Sequence, residues 1–275
     1  MNPDEGHRSG PNDFTANLCL FCSISDVIRV TPVPIALHHN GVMVSDPAPS
    51  SGGFRLDLAS YPLFADLRED QRHQLLDQHR LLSFMAGRPL LHEQGDGQGL
   101  FLFCKGIAKV RSIDAEGQEV VLSLLGPGDL CGEMAILQGA PRSADVICLT
   151  DCELVLLRAA PFLALLHQEP RLALALARLE ARRLQNLNRR FVQRESSAAA
   201  RLLQVLEDLA TRTAPEAPPT APIPPLPQRE LAALSGLARE TASRTLARLR
   251  RQGLVEQMPG GRLRLVNREQ RGGRG

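Results

Sequence analysis

The sequence lacks an uncharged apolar run of about 18 residues, the length that a membrane-spanning helix needs. Its most apolar early stretch, residues 14–44, is interrupted by charged and polar side chains. The first residues are acidic and helix-breaking, where a secretory signal needs a basic segment followed by an apolar one. We therefore expect no membrane-spanning helix, no membrane partner and a cytoplasmic location.

Features of secreted and catalytic proteins are also scarce. Six cysteines among 275 residues, two of them in the pair Cys19 and Cys22, indicate reduced thiols rather than a disulfide framework. The seven histidines form no metal-ligand pattern, and the sequence has no Ser/His/Asp set or Gly-rich phosphate loop. These absences predict a protein that is not an enzyme and has no metal site.

Lysine is nearly absent, because it occurs only at positions 105 and 109 while the total of lysine and arginine is 32. The formal net charge of +2 is unevenly distributed along the chain. Residues 228–275 contain eleven arginines and four glutamates, a net charge of +7. A basic C-terminal end favours contact with an anionic partner such as nucleic acid.

The length predicts two domains, and a hydrophobic content of 43% is ordinary for a globular protein. Residues 1–60 are the exception, since Pro and Gly occur throughout and no hydrophobic period is sustained. We expect a poorly ordered extension there, with the patterned protein beginning at Tyr61. Because Met43 lies inside this extension, we also hypothesise that translation starts downstream of the first methionine.

Residues 61–169 carry the pattern of a β-rich domain. Residues 62–79 first show apolar side chains at helical spacing, with Asp66 as the expected N-cap of a short helix. Short apolar runs separated by Gly- and Asp-containing turns follow, at residues 100–103, 107–110, 120–125, 144–149 and 153–157. Regularly spaced short strands of this kind predict a β-sandwich or barrel.

Helical patterns dominate from residue 170 onward. Residues 170–196 predict a long helix that buries a stripe against a partner, formed by Leu172, Leu176, Leu179, Leu187 and Phe191. A second helix, at 198–211, leads into a Pro-rich connector, 214–227. Two helical segments on either side of Ser235 and Gly236, followed by two short strands, predict a winged helix-turn-helix within residues 197–275.

The segment 126–144 carries the most specific chemistry. Gly132 permits a tight strand-to-helix turn, and Glu133 opens a helical turn whose free N–H groups suit an anion. Arg142 offers a planar guanidinium for a phosphate, beside the Ser143 hydroxyl. Glu133 can accept a hydrogen bond from a ribose hydroxyl. Together these residues predict a site for a sugar phosphate. The alternative is structural, an ion pair of Glu133 with Arg142 that ties two loops together.

This segment resembles the phosphate-binding cassette of cyclic-nucleotide-binding domains, and residues 61–266 resemble the CRP/FNR superfamily of bacterial transcription regulators. The resemblance implies an α+β protein with an N-terminal β-roll of the jelly-roll type, 61–169, a dimerisation helix, 170–196, and a C-terminal winged helix-turn-helix, 197–275. It also implies a homodimer that binds double-stranded DNA and acts with RNA polymerase. The implied effector is cAMP or cGMP, held by Gly132, Glu133, Arg142 and Ser143.

The long helix departs from the cAMP-binding members of that superfamily. Where those members offer Thr-Ser hydroxyls to adenine, this sequence has Leu187 and Asn188. Leu187 cannot hydrogen-bond a base, whereas Asn188 can both donate and accept. Asn188 therefore completes the expected effector site, and the identity of the base stays open.

The cysteines suggest a competing sensor. Cys19 and Cys22 resemble the start of the FNR-type iron–sulfur ligand run, and Cys152 falls where that family has its distant fourth ligand. The third cysteine is absent, with Ile28 near its position, so the four-thiolate set is incomplete. An iron–sulfur cluster or haem is the alternative effector, and a regulator that binds DNA without any effector is a further alternative.

Residues 228–254 carry the candidate DNA contacts. The inner faces of the two helices are expected to be buried through Leu231, Leu234, Leu246 and Leu249. The outward face then presents Arg239, Glu240, Ser243 and Arg244. Arginine can donate hydrogen bonds to O6 and N7 of guanine, and glutamate can accept a hydrogen bond from the N4 amino group of cytosine. This face can therefore read G·C pairs in a major groove.

The resemblance assigns finer roles to this face. Glu240 and Arg244 are expected to read a TGA-containing half-site of a palindrome, with Arg239 and Ser243 adjusting its flank. Gln228, at the start of the first helix, joins the candidate DNA contacts. Other arginines are better placed for phosphates, which add affinity without sequence information, namely Arg248, Arg250, Arg251, Arg262 and Arg264.

Overall fold

The computed structural model describes residues 56–97, 99–214 and 220–266. Residues 1–55, with Met43, Cys19 and Cys22, lie outside the described residues, and so do the poorly ordered extension and the downstream translation start expected there. The described chain begins with a 3₁₀ turn at Leu58–Ser60, and Leu58 is buried in the same core as Phe64. The packed domain therefore includes residues that precede Tyr61.

Helix α1 spans Glu69–Leu76. It is shorter than the predicted helical segment 62–79, because residues 62–66 form turns. The expectation that Asp66 is the N-cap is wrong, since the N-cap is Arg68, whose backbone N–H donates to the side-chain oxygen of Gln71 at 2.9 Å. A glutamine at the third helical position can reach back to the cap in this way, so the helix begins later.

Eight strands build the first domain: β1 (Arg80–Phe84), β2 (Pro89–Leu91), β3 (Gly99–Lys105), β4 (Ala108–Ile113), β5 (Glu119–Leu125), β6 (Leu130–Cys131), β7 (Asp145–Cys148) and β8 (Cys152–Arg158). They form two four-stranded sheets, in the orders β1-β8-β3-β6 and β2-β7-β4-β5. The predicted β-roll is confirmed, and each of the five predicted apolar runs overlaps a strand. Three strands, β1, β2 and β6, were not predicted, and β2 and β6 have only three and two residues, too few to show a period.

Three helices complete this domain. Helix α2 (Glu133–Gln138) lies between β6 and β7, and α3 (Ala159–Gln168) follows β8. Helix α4 (Pro170–Val192) is the predicted long helix, and a 3₁₀ turn at Gln193–Glu195 follows it. In the part of the chain that the structure describes, no helix is long and apolar enough to cross a membrane.

The expected apolar stripe of α4 divides into two faces. In its first half, Leu172 and Leu176 are buried in the core of the roll. In its second half, apolar side chains stay exposed, Leu184 at 59%, Leu187 at 42% and Phe191 at 70%. Residues 172 and 184 are twelve positions apart, which corresponds to about 120° around an α-helix. The first half of α4 therefore packs against its own roll, and the second half presents a separate apolar surface.

The C-terminal domain consists of α5 (Ala198–Thr213), α6 (Gln228–Ser235), α7 (Arg239–Arg251), β9 (Val255–Gln257) and β10 (Leu263–Leu265). This confirms the predicted winged helix-turn-helix. Gly236 at the turn between α6 and α7 has φ +59°, a left-handed conformation that favours glycine. The connector contributes to the wing, because the Ile223 backbone N–H donates to the Leu263 carbonyl at 2.7 Å.

One hydrophobic core joins the two domains. Leu206 and Leu209 of α5 are packed with Leu231, Leu234, Leu246 and Leu249 of the next two helices. The same cluster contains Ile107, Leu124 and Leu149 from the roll. The winged helix-turn-helix is therefore docked on its own roll through a continuous apolar contact.

Candidate effector site and nucleic-acid interface

The candidate cassette begins where β6 passes into α2. Gly132 lies at this turn with φ +87°, and a Cβ atom there would collide with Nη1 of Arg142. A Cβ atom at Gly97 would collide with the same guanidinium. Both positions therefore need glycine so that the two backbone segments can enclose the Arg142 side chain.

Arg142 is buried and bonds to the protein's own backbone. Its Nη1 donates to the Gly132 carbonyl at 2.6 Å, and its Nη2 donates to the Gly99 carbonyl at 2.7 Å. Its Nε is buried and has no hydrogen-bond partner among the described residues. Burial is the main influence on the pKa of Arg142 and lowers it. A guanidinium stays protonated in proteins, so a positive charge lies inside the cassette.

Glu133 is buried beside this arginine but pairs with a different one. Its Oε1 accepts a hydrogen bond from Nη1 of Arg183 at 2.6 Å, and its Oε2 has no partner in the described chain. Arg183 comes from α4 and also donates to Glu180 at 2.8 Å and to the Leu130 carbonyl. The structural alternative of a Glu133–Arg142 ion pair is therefore replaced by a Glu133–Arg183 pair that ties α2 to the long helix.

Arg183 was not among the predicted site residues, although the sequence contains a signal for it. It lies on the inner face of α4 at helical spacing from Leu172, Leu176 and Leu179. A charged residue that continues a buried stripe needs a buried partner. Glu180 lies within the same cluster, and burial raises its pKa although Arg183 opposes that effect.

The remaining candidate effector residues lie at the edge of the cassette or away from it. Ser143 is exposed, and its hydroxyl contacts the sulfur of Met134 at 3.9 Å. Asn188 is exposed on α4, five residues beyond Arg183. Five residues correspond to about 140° around the helix, so Asn188 and Arg183 face different directions. Within one chain, the structure brings Gly132, Glu133 and Arg142 together and does not bring Asn188 to them.

The second candidate site is the outward face of α7. Arg239, Glu240 and Arg244 are exposed and Ser243 is half-buried. Arg244 lies one turn beyond Glu240, with 3.6 Å between their charged groups. The opposite face of α7 is buried through Ala242, Thr245, Leu246 and Leu249. The helix therefore presents two guanidinium groups and a carboxylate to solvent on a rigid support.

Further basic groups surround α7. Gln228 is exposed at the first position of α6, and the candidate phosphate contacts Arg248, Arg250, Arg251 and Arg262 are also exposed. Arg264 differs, because its guanidinium lies 2.6 Å from the Glu256 carboxylate across the wing. Its charge is therefore partly neutralised, which weakens its role as a phosphate contact.

The cysteines of the roll are packed into its interior. Cys131, Cys148 and Cys152 are buried and Cys104 is half-buried, all as free thiols. The Cys152 thiol donates to the Ile107 carbonyl at 3.5 Å. Burial raises the pKa of Cys131, which disfavours a thiolate there. Among the described residues, no cluster of histidine, cysteine and acidic side chains could hold a metal ion.

Two family descriptions match this chain. Residues 81–169 match "Cyclic nucleotide-binding domain", and residues 199–270 match "Crp-like helix-turn-helix domain". The first match covers the roll with its cassette, and the second covers α5 to the wing.

Curated relatives and solved structures agree with these matches. The chain is 34% identical over 204 residues to the cyclic AMP receptor protein of Thermus thermophilus, covering 72% of this chain and 90% of the relative. It is 30% identical over 177 residues to the cAMP-activated global transcriptional regulator CRP of Haemophilus influenzae, covering 64% and 79%. The c-di-GMP responsive global regulator CLP of Xanthomonas campestris shares the fold, with a TM-score of 0.59, 22% identity and coverage of 73% and 100%.

Proposed function

The chain belongs to the CRP/FNR family of bacterial transcription regulators, and we propose that it is a homodimer whose affinity for a palindromic DNA site is set by an effector bound in the roll. The observation that carries this proposal is the pairing of two sites in one chain. One is a buried cassette with unsatisfied polar atoms, and the other is an exposed helix face equipped to read bases.

A cyclic nucleotide fits the chemistry of the cassette, and cAMP and cGMP are the proposed effectors. The Glu133 Oε2 and the Arg142 Nε are buried polar atoms without a described partner, so each can gain from a ligand that bonds to it. Glu133 would accept from a ribose hydroxyl, and Arg142 would neutralise the phosphate. Ser143 lies at the rim, where its hydroxyl can donate to a phosphate oxygen. Relatives of this chain carry cAMP in their names.

The exposed apolar surface on the second half of α4 supports the homodimer. Leu184 and Leu187 are three residues apart and lie on one side of the helix. A second copy of α4 would cover them and bury their apolar area. Asn188 is on the same part of α4, so in a dimer it would approach the cassette of the partner subunit rather than its own. The effector site would then be complete only in the dimer.

Two recognition helices related by a two-fold axis would read one palindrome on one face of the DNA. Glu240 and Arg244 would contact bases of TGA-type half-sites, and Gln228, Arg239, Ser243 and Arg248 would support them. Such a regulator acts where the chromosome and RNA polymerase are, so we propose a cytoplasmic location and RNA polymerase as a partner.

The test is a selection of bound sequences from random double-stranded DNA, carried out with the purified protein alone, with cAMP and with cGMP. A palindromic motif that is recovered more strongly with one nucleotide supports the proposal. Recovery of no motif under any of the three conditions contradicts it. The Arg239→Ala variant tests whether binding uses α7. Because Arg239 lies on the exposed face of α7, this variant should recover less of the motif than the wild type if α7 contacts the DNA.

One observation favours a second candidate, a DNA-binding protein that needs no effector. The chain itself occupies most of the bonding capacity of Glu133 and Arg142, through Arg183 and two backbone carbonyls. A cassette closed in this way could serve as a dimerisation scaffold. If the selection recovers one motif equally with and without nucleotide, the protein binds DNA without an effector. The alternative of an iron–sulfur cluster depends on Cys19 and Cys22, which lie outside the described residues, and the alternative of haem assigns no ligand in this sequence.

A further inference from the structure

Lys109 is a buried lysine that joins the two domains. It lies on β4 and is 4% exposed, although lysine is the residue type that protein interiors most often exclude. Its ammonium lies 2.6 Å from the Glu119 carboxylate of β5 and 2.6 Å from the Glu230 carboxylate of α6. Glu230 is in the first turn of the first helix of the helix-turn-helix. One cation therefore holds a carboxylate from each domain.

The roll side of this contact is fixed by further ion pairs. Arg111 lies 2.9 Å from Glu119 and 3.1 Å from Asp145, both within the roll. Burial acts to raise the pKa of Glu119, but hydrogen bonds from Lys109 and Arg111 outweigh it, so the pKa is lowered. Lys109 and Glu119 are thus a preformed pair in the roll, and Glu230 is the group that the other domain adds.

A second ion pair between the two domains has the opposite polarity and involves α5 instead of α6. Arg212 in the last turn of α5 is paired with Asp129, which precedes the cassette residue Gly132 by three positions. The DNA-binding domain therefore supplies a carboxylate at one point and a guanidinium at the other. The same interface also contains the apolar contacts of α5 with the roll. Opposite polarity at two points fixes the orientation in which the domain docks.

We propose that Lys109 is a latch that holds the winged helix-turn-helix against its own roll and thereby lowers the affinity of the protein for DNA. This inference rests on the proposed function. In the conformation described, Arg142 is bonded to the Gly132 and Gly99 carbonyls, so the cassette is closed on itself while the latch is closed. Two recognition helices must stand about 34 Å apart to read one palindrome. A domain clamped through α6 and α5 cannot adjust to that spacing, so releasing it shifts the population toward the DNA-binding form.

Two variants open the latch in different ways. Lys109→Met removes the cation that lies between Glu119 and Glu230. Arg111 still pairs with Glu119 but not with Glu230, so the two carboxylates repel each other and the domains separate. Glu230→Gln keeps the Lys109–Glu119 pair intact and removes only the charge across the interface. Lys105→Met is the matched control, because Lys105 is the only other lysine and its pair with Glu153 is exposed and lies within the roll.

The experiment measures two quantities on the full chain without added nucleotide. Fluorescence anisotropy gives the affinity for the palindromic duplex selected by the wild-type protein, and hydrogen exchange gives the protection of the α6 amides. We expect Lys109→Met and Glu230→Gln to bind the duplex about tenfold more tightly than the wild type, with faster exchange in α6. The double variant should not exceed the stronger single variant, because both changes remove one contact.

The outcomes separate the latch from the proposed function. Normal DNA binding by all proteins, with unchanged affinity and unchanged α6 exchange in Glu230→Gln and Lys109→Met, overturns the latch alone. A tenfold tighter binding of the duplex by Lys105→Met would also overturn the latch, because the loss of either lysine would then raise the affinity. Failure of the wild type and every variant to bind any DNA, whether alone, with cAMP or with cGMP, contradicts the proposed function, and with it the claim that the latch restrains DNA binding.

Discussion

The Arg183 guanidinium lies 2.6 Å from the Glu133 carboxylate, so an ion pair joins the long helix α4 to the first residue of α2. Only Oε1 takes part, and Oε2 has no partner in the described chain. The Glu133 carboxylate can therefore bind Arg183 of α4 through one oxygen and accept a hydrogen bond from a ligand hydroxyl through the other. A ligand that moves Glu133 must also move Arg183, which gives the candidate effector site a direct mechanical connection to the helix that carries the exposed Leu184 and Leu187.

Replacing Arg183 with methionine should destabilise the protein. Glu133 would lose its cation and stay buried as a charge, and removal of one member of a buried pair typically costs about 3 kcal/mol. We expect the free energy of unfolding in urea to fall by about that amount. The neighbouring exposed Arg182→Met is the control and should change it by less than about 0.5 kcal/mol.

A double-mutant cycle checks the cause of this loss. If the pair with Glu133 is responsible, adding Glu133→Gln to Arg183→Met should restore part of the lost stability, because the unpaired buried charge disappears. Strict additivity of the two substitutions would show that Arg183 acts through its packing and not through Glu133.

The fold was predictable because turn residues and apolar runs recur at regular spacing, and each of the five runs overlaps a strand. The site was predictable only in part. Glu133 and Arg142 are close in sequence, so one loop brings them together. The Lys109–Glu230 contact joins residues 121 positions apart, and no local pattern specifies which two distant charges meet. Asp66 was wrong as an N-cap for a different, local reason, since Gln71 satisfies the backbone N–H of Arg68 and the helix begins there instead.

The cassette can be tested by replacing Arg142 with leucine. A charge-assisted contact to a phosphate is worth about 1.5–3 kcal/mol, so we expect the affinity for the cyclic nucleotide to fall by roughly one to two orders of magnitude. Isothermal titration calorimetry with cAMP and with cGMP measures it. Arg88→Leu, an exposed arginine of the same domain, is the control. Equal affinity of the two variants and the wild type would show that the nucleotide does not use Arg142.

The exposed surface of α4 predicts the effect of a charge at Leu187. An aspartate there would be buried without a cation if α4 pairs with a second copy, at a cost of about 3 kcal/mol, or about a hundredfold in the dimer dissociation constant. Analytical ultracentrifugation over a concentration series measures this constant. Ile113→Asp, which charges an exposed apolar residue of the roll, should leave it unchanged. A Leu187→Asp protein that stays dimeric at the lowest concentrations would place the interface elsewhere.

The outward face of α7 predicts two different losses. Glu240→Ala removes an acceptor for a base, so the preference at one position of each half-site should relax by about 1–3 kcal/mol. Arg248→Ala removes a phosphate contact, so binding should weaken for all sequences and the salt dependence should fall by about one unit of slope. Selection from random DNA tests the first and a salt titration the second. Identical motifs from Glu240→Ala and the wild type would exclude Glu240 from base recognition.

The ion pairs of Glu119 predict how stability depends on pH. Its pKa in the folded protein is lowered from the ordinary value of 4.5, because Lys109 and Arg111 outweigh the effect of burial. A carboxyl group with a lowered folded pKa stabilises the native state above its unfolded pKa, and this contribution is lost as the pH falls through the folded pKa. The free energy of unfolding should therefore fall more steeply between about pH 5 and pH 3 in the wild type than in Glu119→Gln. Glu116→Gln, an exposed neighbour, should follow the wild type. Parallel curves for Glu119→Gln and the wild type would mean that this carboxylate contributes no net stability through its two cations.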